Sequence, residues 1–100
     1  MGIVLRLSIL MLASTYGTEH HQNITATGEI YTGDEHTCAL RSKPHNEVYL
    51  VEYRGRFVYC RHNDWGPARW TNKSIDLSTA SAQALHFPGS GRVKVTKKRN

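Results

Sequence analysis

The stretch Glu47-Val48-Tyr49-Leu50-Val51-Glu52-Tyr53, followed by Arg54-Gly55 and then Arg56-Phe57-Val58-Tyr59-Cys60-Arg61, decides how this chain folds. Both flanks are rich in β-branched and aromatic side chains, which pack well on a pleated surface. A two-residue connection ending in glycine suits a tight hairpin. Working outward, Gly28 to Tyr31 reads as a short strand-like piece closed by a Thr32-Gly33-Asp34 turn, and Asp64-Trp65-Gly66-Pro67 breaks the second hairpin strand. Gly91-Arg92-Val93-Lys94-Val95-Thr96 alternates as a last strand. Residues 78–86 form the one convincing helix: Ser78 is the N-cap, the interior is alanine-rich, and Pro88-Gly89 ends it. Several short strands with one short helix predict a mainly β domain, a small barrel.

The whole chain of 100 residues is one domain, since it is too short for two full cores. Thirteen Lys+Arg against eight Asp+Glu give a net charge of +5, which suits an anionic partner such as nucleic acid, an acidic membrane surface or an anionic wall polymer. The polar run 18–27, with His20 and His21, reads as a loop, and residues 97–100 read as a frayed basic tail. Cys38 and Cys60 lie far apart and form no C-x-x-C pair, which argues against a zinc site. They read as one disulfide in an oxidising compartment or as two buried thiols in a reducing one. Residues 1–13 carry an early Arg6 and a short apolar run, too short for a membrane-spanning helix, which needs about 20 apolar residues. The run fits either a secretory leader or the first strand of the barrel.

Three stretches together resemble a known family. Ala13-Ser14-Thr15-Tyr16-Gly17, His21 and Thr25-Ala26-Thr27-Gly28-Glu29 resemble the opening of the rare lipoprotein A family, Ala-Ser-Trp-Tyr-Gly … His-Gly … Thr-Ala-Ser-Gly-Glu. Asn63-Asp64-Trp65-Gly66-Pro67 resembles its Asn-Asp-Arg-Gly-Pro signature, and Ser74-Ile75-Asp76-Leu77-Ser78 its Ile-Asp-Leu-Ser segment. The resemblance spans residues 10–96. It implies a six-stranded double-psi β-barrel, the fold shared with expansins and barwin-like proteins. The activity it implies is that of a lytic transglycosylase, which cleaves peptidoglycan glycan strands and leaves 1,6-anhydromuramoyl ends. It also favours the strand reading of residues 9–16, because cleavage there would cut the matched Ser14 and Tyr16 out of the fold.

Glycosidic cleavage needs a carboxylic acid to protonate the leaving oxygen. When the sugar's own C6 hydroxyl attacks, one acid that turns into a base suffices. Asp64 matches the signature aspartate and is the first candidate, against the plain alternative of a turn-capping aspartate. Glu29 matches the second acidic position, sharing acid/base duty or stabilising developing charge, or else is a surface glutamate. Asp76 lies in the groove or caps the helix. Ser14, Tyr16, His21, Trp65 and Trp70 are candidates to bond or stack on sugar, with packing at the barrel end as the alternative for the aromatics.

Two departures bear on activity. Leu40 stands where the family's Thr-Ala-Ala-His segment has its histidine, and Trp65 replaces the signature arginine. Either His21, His36 or His62 takes over, or the domain binds glycan without cutting it, as an expansin-like module. The resulting expectation is a monomeric extracytoplasmic enzyme on peptidoglycan glycan strands that needs no metal or other cofactor. Nucleic acid is disfavoured as a partner, and a Ser/His/Asp hydrolase lacks its Gly-x-Ser-x-Gly elbow.

Overall fold

The computed structural model describes residues 7–16 and 23–98. Six strands close into a barrel: β1 (Ser8–Thr15), β2 (Thr37–Leu40), β3 (Val48–Tyr53), β4 (Arg56–Trp65), β5 (Ile75–Leu77) and β6 (Ser90–Lys97). The spatial order is β1-β5-β2-β4-β3-β6. β1 therefore connects to β2 around β5, and β4 connects to β5 around β2. Each of these connections straddles a strand of the other, which is the double-psi arrangement. The β1–β5 and β2–β4 pairs are parallel and the remaining pairings antiparallel. The expected mainly β class and the six-stranded barrel with one helix are what the chain adopts.

The expected hairpin forms with Tyr53 opposite Arg56. Arg54 and Gly55 both take positive φ, 47° and 82°, as the turn that matches strand twist requires. Alternation sends Val51, Val58, Cys60, Val93 and Val95 inward to meet Ala13, Leu40, Ile75 and Leu77. α1 (Thr79–Leu85) closes one end with Ala82 and Leu85 buried. Ser78 caps it as expected, its Oγ accepting the Ser81 N–H, while the backbone leaves at His86, in the left-handed region, two residues before Pro88. The same Ser78 Oγ accepts the Thr37 N–H and donates to the Glu35 carbonyl, so one hydroxyl ties helix start to the approach to β2. Among the described residues no helix is long and apolar enough to cross a membrane.

Several sequence expectations need correction. β4 does not break at Asp64 but runs through Trp65, because Asp64 and Trp65 still pair with Ala39 and Leu40. The strand stops at Gly66, whose φ of 139° no other residue adopts readily. Residues 28–31 contribute only a single bridge, Ile24 to Ile30. The tail is anchored further than expected: Lys97 pairs with Tyr49, and the Lys98 N–H donates to the Val48 carbonyl. The segments 37–40 and 75–77, taken as motifs, are central strands.

Cys38 and Cys60 form a disulfide between neighbouring strands, with Cα atoms 5.7 Å apart and both side chains fully buried. It closes a loop spanning a sequence separation of 22, worth about 3 kcal/mol in the chain-entropy account. A Cys38→Ala/Cys60→Ala double variant is expected to melt on the order of 10–20 °C lower. Calorimetry checks this, and a melting temperature unmoved by the substitutions would show that the bridge contributes nothing.

Candidate active site

Strand register assembles the site. Asp64 lies opposite Ala39 between β4 and β2, Ala39 opposite Asp76 between β2 and β5, and Asp76 opposite Ser14 between β5 and β1. Laterally paired residues share a face of a sheet, so the four side chains form one row. Ile75 and Leu77, flanking Asp76, are fully buried in the core, so Asp76 faces outward from the barrel. Two strand spacings put the Cα atoms of the aspartates about 10 Å apart.

The row opens on a cleft lined by Tyr16, Asn23, Tyr31, Asp64, Trp65 and Asp76. Its enclosed space is about 70 Å³, room for about two waters. Asp64 Oδ1 accepts the N–H groups of Ala26 at 3.1 Å and Trp65 at 2.9 Å. Asp76 Oδ1 accepts the Ser14 hydroxyl, and its Oδ2 comes within 3.4 Å of where a Cβ on Gly66 would sit. The backbone φ is what calls for glycine at 66, since a Cβ there would meet Asp76 and Ala39 at ordinary contact distance.

Tyr16 follows β1 directly, its N–H bonded to the Leu77 carbonyl at 3.0 Å. Its ring meets Tyr31 edge-on at 4.7 Å. Burial, reinforced by the charges of Asp64 and Asp76, pushes its phenol well above the usual range, so it stays neutral beside both carboxylates. The Tyr31 hydroxyl accepts the Thr79 N–H at 3.2 Å, linking the cleft to α1. Trp65 is 54% exposed at the rim. Trp70, on a 3-10 turn at Arg69–Thr71, is 87% exposed, so barrel-end packing is not its role. The Arg41 guanidinium holds that segment by donating to the carbonyls of Pro67, Ala68 and Lys73.

Glu29 is placed differently from the two aspartates and does not line the cleft among the described residues. Arg61 grips both its oxygens, with Nη1 on Oε1 and Nη2 on Oε2 at 3.1 Å. Asn63 Nδ2 at 2.9 Å and the Thr27 hydroxyl at 3.2 Å also donate to Oε1. The Arg61 hydrogen bond, chiefly, holds the carboxyl down to about 2. An acid that gives up its proton so easily is a permanent anion near neutral pH. The network braces the 25–28 turn, whose Ala26 N–H reaches Asp64 and whose Thr27 N–H reaches the Asn63 carbonyl.

Asp64, Asp76, Tyr16 and Trp65 thus line one cleft, and Ser14 joins through Asp76. Asp76 lines the cleft, and the side chain that caps α1 is Ser78. His21 lies outside the described residues. Leu40 is 6% exposed and joins the core. His36 is exposed, whereas His62 is fully buried with Nε2 3.0 Å from the Asp64 carbonyl. Sequence reasoning missed Asn23, Tyr31, Arg61 and Asn63. An aromatic residue between polar loops was a usable sign for Tyr31, but no local sign pairs Arg61 with a glutamate 32 positions away. Among the described residues no group of three or more His, Cys, Asp or Glu is placed to hold a metal ion.

Comparisons with known proteins agree with this architecture. A family model described as lytic transglycolase matches residues 10–97. The endolytic peptidoglycan transglycosylase RlpA of Yersinia pestis is 38% identical over 86 residues, 84% of this chain and 24% of that protein. The protein of the same name from Pseudomonas aeruginosa strain UCBPP-PA14 is 39% identical over 87 residues, 83% of this chain and 25% of its own length. A probable endolytic peptidoglycan transglycosylase RlpA of Nostoc sp. is 41% identical over 91 residues, 87% of this chain and 24% of that one. The chain thus spans about a quarter of the length of these relatives. The Streptomyces papain inhibitor superposes with a TM-score of 0.73 at 17% identity, covering 93% of this chain and 96% of its own, and shares the fold. With the family model matched over residues 10–97 and these identities over most of its length, the chain belongs to the lytic transglycolase family, as an RlpA-like double-psi barrel.

Proposed function

We propose that this barrel cleaves peptidoglycan glycan strands as a lytic transglycosylase outside the cytoplasm, with Asp64 as acid and then base. The observation that carries the reading is the row Asp64–Ala39–Asp76–Ser14, which sets two carboxylates on one open cleft. Asp64 is held through Oδ1 by two backbone N–H groups, leaving Oδ2 for substrate. Starting protonated, it gives its proton to the leaving glycosidic oxygen as the C1–O bond breaks. The C6 hydroxyl of the same sugar then bonds to C1 and returns its proton to Asp64. The product is a 1,6-anhydro end, with no water consumed and the carboxyl regenerated.

Asp76, oriented by Ser14, supplies negative charge where the ring becomes cationic. Tyr16 stays a neutral donor beside both carboxylates. Trp65 offers an exposed face at the rim for a pyranose ring, in place of the charged contact of the family's arginine. Glu29 is not the proton donor in this scheme. As an anion locked to Arg61, it stiffens the turn that holds Asp64. A second reading, binding without cleavage, is favoured by one observation, the burial of Leu40 where the family has histidine.

Purified protein is expected to release anhydro-ended glycan fragments from sacculi, and Asp64→Asn to lower that release at least about 100-fold with the fold intact. Wild type that co-sediments with sacculi but frees nothing would establish the binding module instead. Full activity in Asp64→Asn would remove Asp64 from the mechanism.

Glu29 gives a separate test. Its carboxyl is depressed to about 2 in the fold and near 4.3 in an unfolded chain. The stability it contributes is therefore present above pH ~4.5 and lost as pH falls toward 2. Glu29→Gln is expected to flatten that part of the acid-unfolding curve while sparing some activity at neutral pH. A Glu29→Gln protein with the wild-type acid profile would contradict the Arg61 lock.

A further inference from the structure

The pairing of β2 with β4 contains an irregularity. Cys38 lies opposite His62, but Ala39 lies opposite Asp64, so Asn63 is an extra residue in β4. Side chains alternate along a strand, and a one-residue slip swaps faces. In an unshifted ladder Asn63 would pair with Ala39 and take the outward place, and Asp64 would fall on the inward face opposite Leu40. The bulge therefore aims Asp64 into the cleft.

Both carbonyls at the bulge are met from outside β2. The Asn63 carbonyl accepts the Thr27 N–H at 3.3 Å. The Asp64 carbonyl is met from inside the barrel by Nε2 of His62 at 3.0 Å. A carbonyl can only accept, so this contact places the ring proton on Nε2. Nδ1 is buried without a hydrogen-bond partner among the described residues. The surroundings come from several elements: Tyr49 of β3 edge-on at 6.1 Å, Glu47 and His45 from the segment before β3, and the backbone of Leu40 and Asp64. Burial, outweighing Glu47, keeps the ring neutral more readily than a free histidine.

We propose that His62 is a positioning residue for the reaction: its Nε2–H holds the Asp64 carbonyl at the bulge and so fixes the direction of the Asp64 carboxyl in the cleft. The proposal rests on the reading of Asp64 as the acid. It also accounts for a chain with Leu40 at the family's histidine position. The imidazole here approaches the aspartate from beneath, through its main chain.

Three variants and one spectrum test it. Glutamine carries its amide nitrogen near the Nε2 position, asparagine nearer Nδ1, and leucine carries no donor. Relative to wild type, His62→Asn and His62→Leu are expected to lose at least tenfold in kcat on sacculi with KM within about twofold. His62→Gln is expected to regain most of kcat. The ¹⁵N spectrum of the wild-type ring should show the Nε2–H tautomer. The ¹³C shifts of the Asp64 carbonyl and carboxyl should be near wild type in the glutamine variant and displaced in the other two. If His62→Leu does not fold, the glutamine–asparagine comparison still decides. Equal kcat in those two variants, or an Nδ1–H tautomer, overturns the proposal. If wild type frees no glycan, the catalytic reading fails separately, and the tautomer and Asp64 shifts still decide whether His62 sets Asp64.

Discussion

Along β4, the partner on β2 steps from Cys38 opposite His62 to Ala39 opposite Asp64, and most of the site depends on that step. Before it, β4 is an ordinary barrel strand: Val58, Cys60 and His62 point in, and Phe57, Tyr59 and Arg61 point out. After it, the alternation is reset and an aspartate faces outward over a strand whose neighbours belong to the core. A bulge is locally costly, because it forfeits ladder hydrogen bonds. Here Thr27 meets the Asn63 carbonyl from the outside and His62 meets the Asp64 carbonyl from the inside. The disulfide lies just ahead of the step and ties the same two strands, so their registration there is covalently fixed.

The double-psi connections explain why so few residues can build a cleft. β5 is only three residues long, yet it lies between β1 and β2 and pairs with both. Its outer two residues fill the core, and its middle one, Asp76, takes up the row that Ala39 extends to Asp64. Ser78 follows immediately, and its hydroxyl serves α1, Thr37 and Glu35 at once. Division of labour between neighbours resolves the two uses open to Asp76. A serine caps the helix, so the aspartate is free of that duty.

What the sequence revealed and what it hid follow from the range of the interactions. The 48–53/56–65 hairpin was legible because its signals, alternation and a two-residue turn, are local. β2 and β5 were hidden because strands of four and three residues, with β2 buried throughout, show no alternation to read. The end of β4 was misplaced because Gly66-Pro67 announces a break but not the residue at which pairing stops. The bulge left no mark in composition at all. Asp64 was found through its motif, yet the reason it faces outward lies in a register that only the assembled sheet defines. Glu29 was likewise found by motif, but its partner Arg61 sits on another element, and that partner holds its carboxyl as an anion.

Two positions beside the row carry little or no side chain, Ala39 and Gly66. Ala39 lies between Asp64 and Asp76 and is fully buried beneath the Gly66 segment, where a Cβ at position 66 would come within 3.7 Å of the Ala39 methyl. A larger residue at 39 would either push the segment carrying Trp65 and Pro67 away or wedge the carboxylates apart. A Cβ at 66 would touch Asp76 and Ala39 at ordinary contact distance, so there it is the backbone conformation that calls for glycine. The space between the acids is therefore bounded by a methyl below and a bare α-carbon above, and interiors packed this closely tolerate little added volume. Between the two aspartates the row holds nothing larger than alanine, which leaves their carboxylates side by side on the cleft.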